Sequence, residues 1–349
     1  MTRTTKSATM KAAVLRKIGA GLAIETLPVP EPKAGQILIK VVACGVCHSD
    51  LHTIDGDWTP HPALPLIPGH EVTGHVAALG DGVTDFRIGD PVGVPWMFNA
   101  CGTCEYCLAG METICKSGEA TGYSKPGGYA EYMVAEAAFV GRLNPSDDLY
   151  QLAPVLCAGV TTYRGLKRSN TRPGQWVAVL GIGGLGHIAV QYAKAMGMRV
   201  AAVDVAADKL RLARSLGAEV TVDATKGDPV ARIQSAIGGA HGAIVTAVAG
   251  RAFEQSIGML RPGGTVAYIG LPGGKGDEIR TSISAITNWE LSVRGSNVGT
   301  RLDLNEAVDF AARGLVKAKI KTAPLSQINK VLDQMRAGKI VGRVVLKIA

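Results

Sequence analysis

The sequence predicts an α/β protein with an irregular, mostly-β first region and a second region built on a parallel sheet. Up to about residue 155, short β-like runs such as 36–42 alternate with Pro- and Gly-rich turns. Beyond it, apolar strands alternate with helical patterns, which is typical of βαβ units. A glycine-rich motif also follows the first of these strands directly. These three observations predict both the fold class and its division into two regions.

The predicted elements of the second region follow one another in regular order. The expected strands are 176–180, 200–205, 243–248, 265–269 and 291–294, and the expected helices are 184–196, 209–216 and 253–260. After residue 294 the alternation weakens. We therefore expect a first domain over 1–156, a second over 157–295, and a return of 296–349 to the first.

Composition and charge limit the classes of function. The 349 residues suffice for about two domains, and no apolar run approaches the roughly 18 residues that span a bilayer. The first ten residues lack the apolar segment of a signal peptide, so we expect a cytoplasmic protein with no membrane partner. The net charge of +8 is concentrated in 1–17 and 313–349, without a dense basic run interleaved with aromatic residues. This pattern argues against a nucleic-acid partner.

Four cysteines within fifteen residues form a candidate metal site, which we call the cysteine lobe. They are Cys101, Cys104, Cys107 and Cys115. Zinc binds four thiolates tetrahedrally in structural sites. A disulfide framework suits a small secreted chain instead. An iron–sulfur cluster is a second alternative, although the seven-residue gap before Cys115 differs from the tight ferredoxin spacing. The lobe therefore predicts a structural zinc.

The glycine-rich motif predicts a dinucleotide site. It directly follows strand 176–180, opens a helix, and consists of Gly181, Gly183, Gly184, Leu185 and Gly186 around Ile182. Backbone amides at such a helix start can bind a pyrophosphate. Asp204 ends the next predicted strand, where an acid accepts hydrogen bonds from the adenosine ribose and repels a 2′-phosphate. We therefore expect NAD rather than NADP, and we interpret His187 as an ordinary residue of the helix start.

Cysteine and histidine residues of the first region form a second candidate metal site. Cys47, His70 and Cys157 are far apart in the sequence, so spacing alone does not show that they meet. Two cysteines and one histidine with an open position are nevertheless a known ligand set of catalytic zinc. Cys44 lies within an apolar strand and is expected to be a core residue. The pair of Cys44 and Cys47 also has a redox-motif spacing, but outside a βαβ unit.

These motifs together resemble one family. The segments Cys47-His-Ser-Asp50, Gly69-His-Glu71 and Cys157-Ala-Gly-Val-Thr161, with the cysteine lobe and the glycine motif, are similar to the zinc-dependent alcohol dehydrogenases of the medium-chain dehydrogenase/reductase family. The tetrameric microbial ethanol-type enzymes are the most similar group. The likeness extends from about Met10 to the C-terminus. It implies a GroES-like, mostly-β catalytic domain, a doubly wound Rossmann NAD-binding domain with a parallel, six-stranded sheet, and a homotetramer.

The resemblance also implies residue roles. The catalytic zinc would be bound by Cys47, His70 and Cys157, and the structural zinc by the cysteine lobe, giving two zinc ions per chain. Asp50 would brace His70, and Glu71 would lie behind the metal. The remaining assignments are Ser49 and His52 as a proton relay; His48 and Arg343 at the pyrophosphate; Thr161 at the nicotinamide; Lys209 beside Asp204; and Trp58 and Trp96 in the alcohol pocket.

The implied reaction is the reversible oxidation of short primary, and in some cases secondary, alcohols to aldehydes or ketones, with hydride transfer to NAD⁺. An alternative is a related medium-chain enzyme that acts on aromatic alcohols, polyols or other aldehydes. A zinc-containing nucleic-acid or partner-binding module would leave the glycine motif and the Cys47 ligand set without a use. A small-molecule alcohol or aldehyde is therefore the expected partner.

Overall fold

The chain folds into two compact units. The computed structural model describes residues 8–273 and 278–348, so residues 1–7 of the basic segment 1–17 lie outside the described residues. The first unit contains Met1–Cys157 and Ile320–Ala349, and the second contains Ala158–Lys319. The chain returns to the first unit at Ile320, later than the expected residue 296. The reason is that the intervening segment forms a helix that packs within the second unit.

Elements are numbered along the whole chain. The strands of the first unit are β1 (Thr9–Val14), β2 (Ala23–Pro28), β3 (Gln36–Val46), β4 (Glu71–Leu79), β5 (Pro91–Val94), β6 (Met97–Asn99), β7 (Glu119–Ala120), β8 (Tyr132–Glu136), β9 (Gly141–Arg142), β16 (Ile320–Pro324) and β17 (Arg343–Lys347). Its α-helices are α1 (His48–Asp55), α2 (Glu105–Leu108), α3 (Leu149–Leu152) and α11 (Ile328–Arg336). Short 3₁₀ turns cover Glu112–Ile114, Ala137–Phe139, Ala153–Leu156 and Leu325–Gln327.

The first unit is built around a seven-stranded sheet. Its strand order is β16-β17-β3-β4-β5-β9, and β8 also pairs with β3. The C-terminal strand β17 pairs antiparallel with β3, with Val344 opposite Val46. Ile328 and Leu332 of α11 lie in the same buried cluster as Ile39 of β3. Residues from both ends of the chain therefore complete this core.

The second unit contains six strands and seven helices among its described residues. The strands are β10 (Trp176–Leu180), β11 (Arg199–Asp204), β12 (Val220–Asp223), β13 (Ala240–Val245), β14 (Leu260–Tyr268) and β15 (Ser292–Gly295). The helices are α4 (Ala158–Arg168), α5 (Gly186–Ala195), α6 (Ala207–Ser215), α7 (Pro229–Ile237), α8 (Gly250–Gly258), α9 (Ile283–Asn288) and α10 (Arg301–Ala312).

The sheet of the second unit is parallel and doubly wound, as predicted. Its strand order is β12-β11-β10-β13-β14-β15, and all neighbouring strands run parallel. Val177, Ala178 and Val179 of the central strand β10 are completely buried, as expected for a sheet covered on both faces. In sheets with this strand order, ligands generally bind at the carboxyl ends of the central strands, where the direction of winding reverses. Here this place is the carboxyl end of β10 and its neighbours.

Within the described parts of the chain, no helix combines the length and apolar character needed to span a bilayer.

Candidate functional site

The fold brings the three scattered candidate ligands of the first unit together. Reactive atoms of Cys47, His70, Glu71 and Cys157 all lie within 4.8 Å of one another, and all four residues are buried. Cys47 caps α1, His70 precedes β4, and Cys157 ends the first unit before α4. Three different elements therefore supply one candidate metal centre.

The start of α1 is fixed by a capping box. Cys47 has extended backbone angles (φ −117°, ψ 157°), and its N–H donates to Asp50 Oδ2 at 2.9 Å. An acid in the first helical turn also interacts favourably with the helix dipole. The Asp50 carboxylate thus fixes the backbone of the candidate ligand Cys47.

Asp50 also orients His70, as the resemblance implies. Its Oδ1 lies 2.8 Å from His70 Nδ1 and accepts the N–H of Gly69 at 3.2 Å. Its Oδ2 accepts the hydroxyl of the buried Tyr129 at 2.8 Å. Because a carboxylate only accepts hydrogen bonds, Nδ1 of His70 carries a hydrogen, and in the neutral ring Nε2 is then the nitrogen with the lone pair. Carboxylates that accept a hydrogen bond from the other ring nitrogen act in this way on metal-binding histidines.

The donor set fits a zinc ion. The sulfur atoms of Cys47 and Cys157 lie 3.9 Å apart, and two thiolates on a tetrahedral zinc would be about 3.8 Å apart. His70 Nε2 is buried and has no hydrogen-bond partner among the described residues. The contact with Cys157 lowers the pKa of the Cys47 thiol well below its ordinary value, although burial opposes this shift. The same contact raises the pKa of the Cys157 thiol, so it favours the thiolate form at Cys47.

Glu71 lies behind this centre and pairs with Arg343. The two side chains form a buried ion pair through Arg343 Nη2 and Glu71 Oε1. Burial raises the pKa of Glu71 to about 7, and Arg343 opposes the shift. Its Oε2 is buried and unpartnered among the described residues. A Cβ at Gly45 would lie 1.8 Å from this oxygen, so only glycine leaves room for it.

Aromatic rings surround one side of the centre. The ring of Trp96 packs edge-on against His70 at 4.9 Å between centroids. Trp58 lies 6.0 Å from Trp96, and Tyr123 lies 5.9 Å from Trp96 and 6.0 Å from Trp58. Sequence reasoning identified both tryptophans but missed Tyr123, because a lone tyrosine in a turn carries no local signal.

The predicted relay residues lie on α1. Of these, Ser49 is half-buried with its Oγ 3.8 Å from the sulfur of Cys47. His48, which is predicted to contact the pyrophosphate, lies on the same helix and is exposed. His52 is largely buried, and its Nδ1 lies 2.6 Å from Asp57 Oδ2. Asp57 was also missed by sequence reasoning.

The cysteine lobe forms a second, closed candidate metal centre. The four sulfur atoms lie within 4.8 Å of one another, with 3.9 Å between Cys101 and Cys107 and also between Cys104 and Cys115. The backbone N–H of Cys104 donates to the sulfur of Cys101 at 3.3 Å, which favours the thiolate form. These separations again fit a tetrahedral zinc, now with all four positions supplied by protein.

The glycine motif connects β10 to α5. Gly181 has a positive φ of 91°, and a Cβ there would collide with Ala247. A Cβ at Gly186 would lie 1.8 Å from the carbonyl oxygen of Gly181, whereas one at Gly183 would meet nothing within 4 Å. Glycine therefore serves a different purpose at each of these three positions. It allows a tight turn at Gly181, close packing at Gly186 and an open approach to the backbone at Gly183. Gly184 and Leu185 complete the turn, and Leu185 is the N-cap of α5.

Asp204 ends β11, as predicted, and fixes the glycine loop. Its Oδ2 accepts the N–H of Ile182 at 2.5 Å and its Oδ1 accepts the N–H of Ala206 at 2.9 Å. Each oxygen retains a second lone pair for a ribose hydroxyl. Lys209 lies in the following helix α6, and Thr161 lies in α4 with a buried Oγ1 that has no partner among the described residues.

His187 is a structural residue of α5. It is buried, its Nδ1 lies 2.9 Å from the carbonyl oxygen of Gly183, and its Nε2 accepts the N–H of Lys319 at 3.1 Å. Both ring nitrogens are therefore engaged by the backbone.

Comparison with known proteins identifies the family. Residues 33–145 match the alcohol dehydrogenase GroES-like domain, and residues 184–313 match the zinc-binding dehydrogenase domain. An alcohol dehydrogenase of Moraxella sp. is 53% identical over 97% of this chain and 99% of its own length. An alcohol dehydrogenase from Geobacillus stearothermophilus is 50% identical over 97% of this chain and 99% of its own length. The crystal structure of the Aeropyrum pernix alcohol dehydrogenase has a TM-score of 0.88 and 34% identity, covering 97% of this chain and 99% of its own.

Nearly full-length identity at this level, with both domains matched in order, shows common descent and a common fold. The chain belongs to the zinc-dependent alcohol dehydrogenases of the medium-chain dehydrogenase/reductase family.

Proposed function

We propose that this protein reversibly oxidises short primary alcohols to aldehydes, and some secondary alcohols to ketones, by hydride transfer to NAD⁺. One observation carries the proposal: Cys47, His70 and Cys157 converge with an unpartnered His70 Nε2 beside aromatic rings. Three protein ligands leave the fourth position of a zinc ion for the substrate oxygen. Zinc, when bound, acts as a Lewis acid that lowers the pKa of the alcohol hydroxyl.

The residues of the chain have distinct roles in this proposal. Cys47, His70 and Cys157 hold the metal, and Asp50 keeps His70 in the required tautomer. The hydroxyl proton of the alcohol passes by way of Ser49 to His52 and then to water. Trp58 and Trp96 restrict the alcohol to a short chain, and Tyr123 extends the same aromatic wall.

We assign the cofactor to NAD. The Asp204 carboxylate at the end of β11 would repel the 2′-phosphate of NADP, and its two oxygens would accept hydrogen bonds from the ribose hydroxyls of NAD. Gly181, Gly183, Gly184, Leu185 and Gly186 would bind the pyrophosphate together with His48 and Arg343. Thr161 would contact the nicotinamide, and Lys209 the adenosine ribose. The buried ion pair of Arg343 with Glu71 would link cofactor binding to the metal centre.

We further propose a cytoplasmic homotetramer with two zinc ions per chain. All seven cysteines are unpaired, and the metal-binding thiols need a reducing compartment. Light scattering on the purified protein measures the oligomeric state directly.

The function is tested by metal analysis combined with rates on a panel of alcohols, using NAD⁺ and NADP⁺. We expect two zinc ions per chain and NAD⁺-linked oxidation of ethanol to butanol. Cys47→Ala should abolish turnover, lose one zinc and leave NADH binding measurable. The matched control Cys44→Ala changes a buried cysteine outside both metal centres and should retain both zinc ions. A fully active zinc-free enzyme would disprove the mechanism.

A further inference from the structure

The end of helix α1 places an acid against the ring of His52. Gly56 adopts the left-handed conformation (φ 77°) and terminates the helix. The N–H groups of Gly56 and Asp57 both donate to the carbonyl oxygen of His52, each at 3.0 Å. This reversal of the chain brings the side chain of Asp57 back to a histidine five residues earlier.

The contact defines which ring nitrogen of His52 carries hydrogen. Nδ1 lies 2.6 Å from Asp57 Oδ2, and the ring of Trp58 packs against His52 at 5.1 Å between centroids. A carboxylate can only accept a hydrogen bond, so Nδ1 must donate. Nε2 then retains a lone pair and is the nitrogen able to accept a proton. Trp58 restricts rotation of the ring about this contact.

The side chains of His52 and Asp57 differ in their exposure to solvent. The side chain of His52 is 11% exposed and that of Asp57 is 32% exposed. The histidine thus faces the protein interior while the carboxylate borders solvent. A proton received at Nε2 would form an imidazolium beside a negative charge that is already at the protein surface.

We propose that Asp57 is a positioning residue for proton release. This inference rests on the proposed alcohol oxidation, in which the alcohol loses a hydride to NAD⁺ and its hydroxyl proton to the relay. Asp57 holds the Nδ1–H tautomer of His52, so that Nε2 accepts this proton while Asp57 itself remains ionised. The extra proton then passes from the imidazolium to bulk water, which restores the neutral ring.

The neighbouring acid Asp55 provides a matched control. It lies two residues earlier but pairs with Arg336, with contacts of 2.6 and 3.1 Å. Asp55→Asn therefore removes the same charge from the same segment without affecting the ring of His52.

The test compares Asp57→Asn, Asp55→Asn, His52→Gln and the double variant Asp57→Asn/His52→Gln in the holoenzyme. The ¹⁵N spectrum of the seven histidines reports the tautomer of each ring, and His52 is the signal lost in His52→Gln. We expect the Nδ1–H tautomer in the wild-type protein and in Asp55→Asn. Asp57→Asn should show a mixture, because an amide can present either a donor or an acceptor to Nδ1.

Stopped-flow proton release with an indicator dye gives the second measurement. Asp57→Asn should slow release about tenfold, part of the 10²–10⁴-fold that general acid–base catalysis contributes, with the KM for alcohol nearly unchanged. In the His52→Gln background, Asp57→Asn should have no further effect. An unchanged tautomer, or an equal loss in both backgrounds, overturns the inference. Absence of alcohol oxidation in the wild-type enzyme would instead refute the proposed function, and the tautomer would still be measurable.

Discussion

At the scale of single residues, Asp204 shows how one side chain can shape a binding loop and remain available to a ligand. Both oxygens already accept backbone N–H groups, from Ile182 and Ala206. Each of these bonds leaves one lone pair on its oxygen free. A nucleotide ribose can therefore bind without displacing the contact that holds the glycine loop.

We predict that Asp204→Asn weakens NADH binding by at least about tenfold, because hydrogen bonds to a charged group contribute about 1.5–3 kcal/mol. Binding of NADPH should weaken less, since the repulsive charge is gone. NADH fluorescence titration measures both. Asp223→Asn is the matched control: Asp223 occupies the same register position on β12, but its Oδ1 accepts from Thr225. If both variants weaken NADH equally, Asp204 has no specific role.

Which residues the sequence could predict depends on how their contacts arise. Cys47, His70 and Cys157 belong to motifs whose residue types already indicate metal chemistry. Asp57 and Tyr129 do not, because an acid after a helix and a tyrosine in a loop are ordinary. Their contacts depend on the left-handed turn at Gly56 and on the distant approach of Tyr129 to Asp50, respectively. Such contacts exist only in the folded chain.

At the scale of elements, one carboxylate of helix α10, that of Asp303, acts both at the start of the helix and in its packing. Asp303 forms a capping box with Thr300, and its Oδ1 accepts from Lys167 of α4 at 2.9 Å. Burial opposes the shift, but the bonds from Lys167 and Thr300 lower the pKa of Asp303 below its ordinary value. This carboxylate therefore stabilises both the start of α10 and its packing on α4.

We predict that Asp303→Asn lowers the free energy of unfolding by about 2 kcal/mol at neutral pH. Because the folded-state pKa is lowered, the carboxylate stabilises the protein above its unfolded pKa of about 3.9, and this contribution is lost as the pH falls through the folded-state value. The difference between the wild-type protein and the variant should therefore shrink below about pH 4.

Denaturant titrations at several pH values measure this difference. Asp309→Asn on the same helix is the control, because Asp309 forms an ion pair with Arg313 in which each side chain is 60% exposed. An exposed pair of this kind contributes about 0–1 kcal/mol. A difference between wild type and Asp303→Asn that is as large at pH 3 as at neutral pH would contradict the assigned cause.

Buried strands were easier to predict from the sequence than strands at the sheet edge. The central strand β10 is apolar throughout and was predicted with its observed bounds, Trp176–Leu180. Strand β12 was not predicted, because it lies at the sheet edge, pairs only with β11 and has just one fully buried residue, Val222. An edge strand of four residues carries too little apolar pattern to be distinguished from a loop.

At the scale of the whole molecule, the two units differ in how the chain builds them. The second unit uses one continuous segment, Ala158–Lys319, whereas the first needs both Met1–Cys157 and Ile320–Ala349. Sequence patterns are local, so they indicated a return of the C-terminus without fixing its position. Helix α10 has the same type of helical pattern as its neighbours, and only its contacts with α4 assign it to the second unit.

We predict that the fragment 158–319 folds alone and binds NADH, whereas 1–157 does not fold. The fragment 158–319 retains all six parallel strands and the complete glycine loop with Asp204. The fragment 1–157 lacks β17, which pairs with β3, and the buried side chains of α11, among them Ile328 and Leu332. Circular dichroism melting should show a cooperative transition only for 158–319, and NADH fluorescence should report binding.

Adding the peptide 320–349 to the fragment 1–157 provides the decisive comparison. It restores the β3–β17 pairing, the apolar face of α11 and the partner of Glu71, namely Arg343. We therefore expect cooperative folding to return on mixing, with zinc bound at both centres, since all seven predicted ligands lie within 1–157. Folding of 1–157 without the peptide would show that the C-terminal strands only cover a core that is already stable.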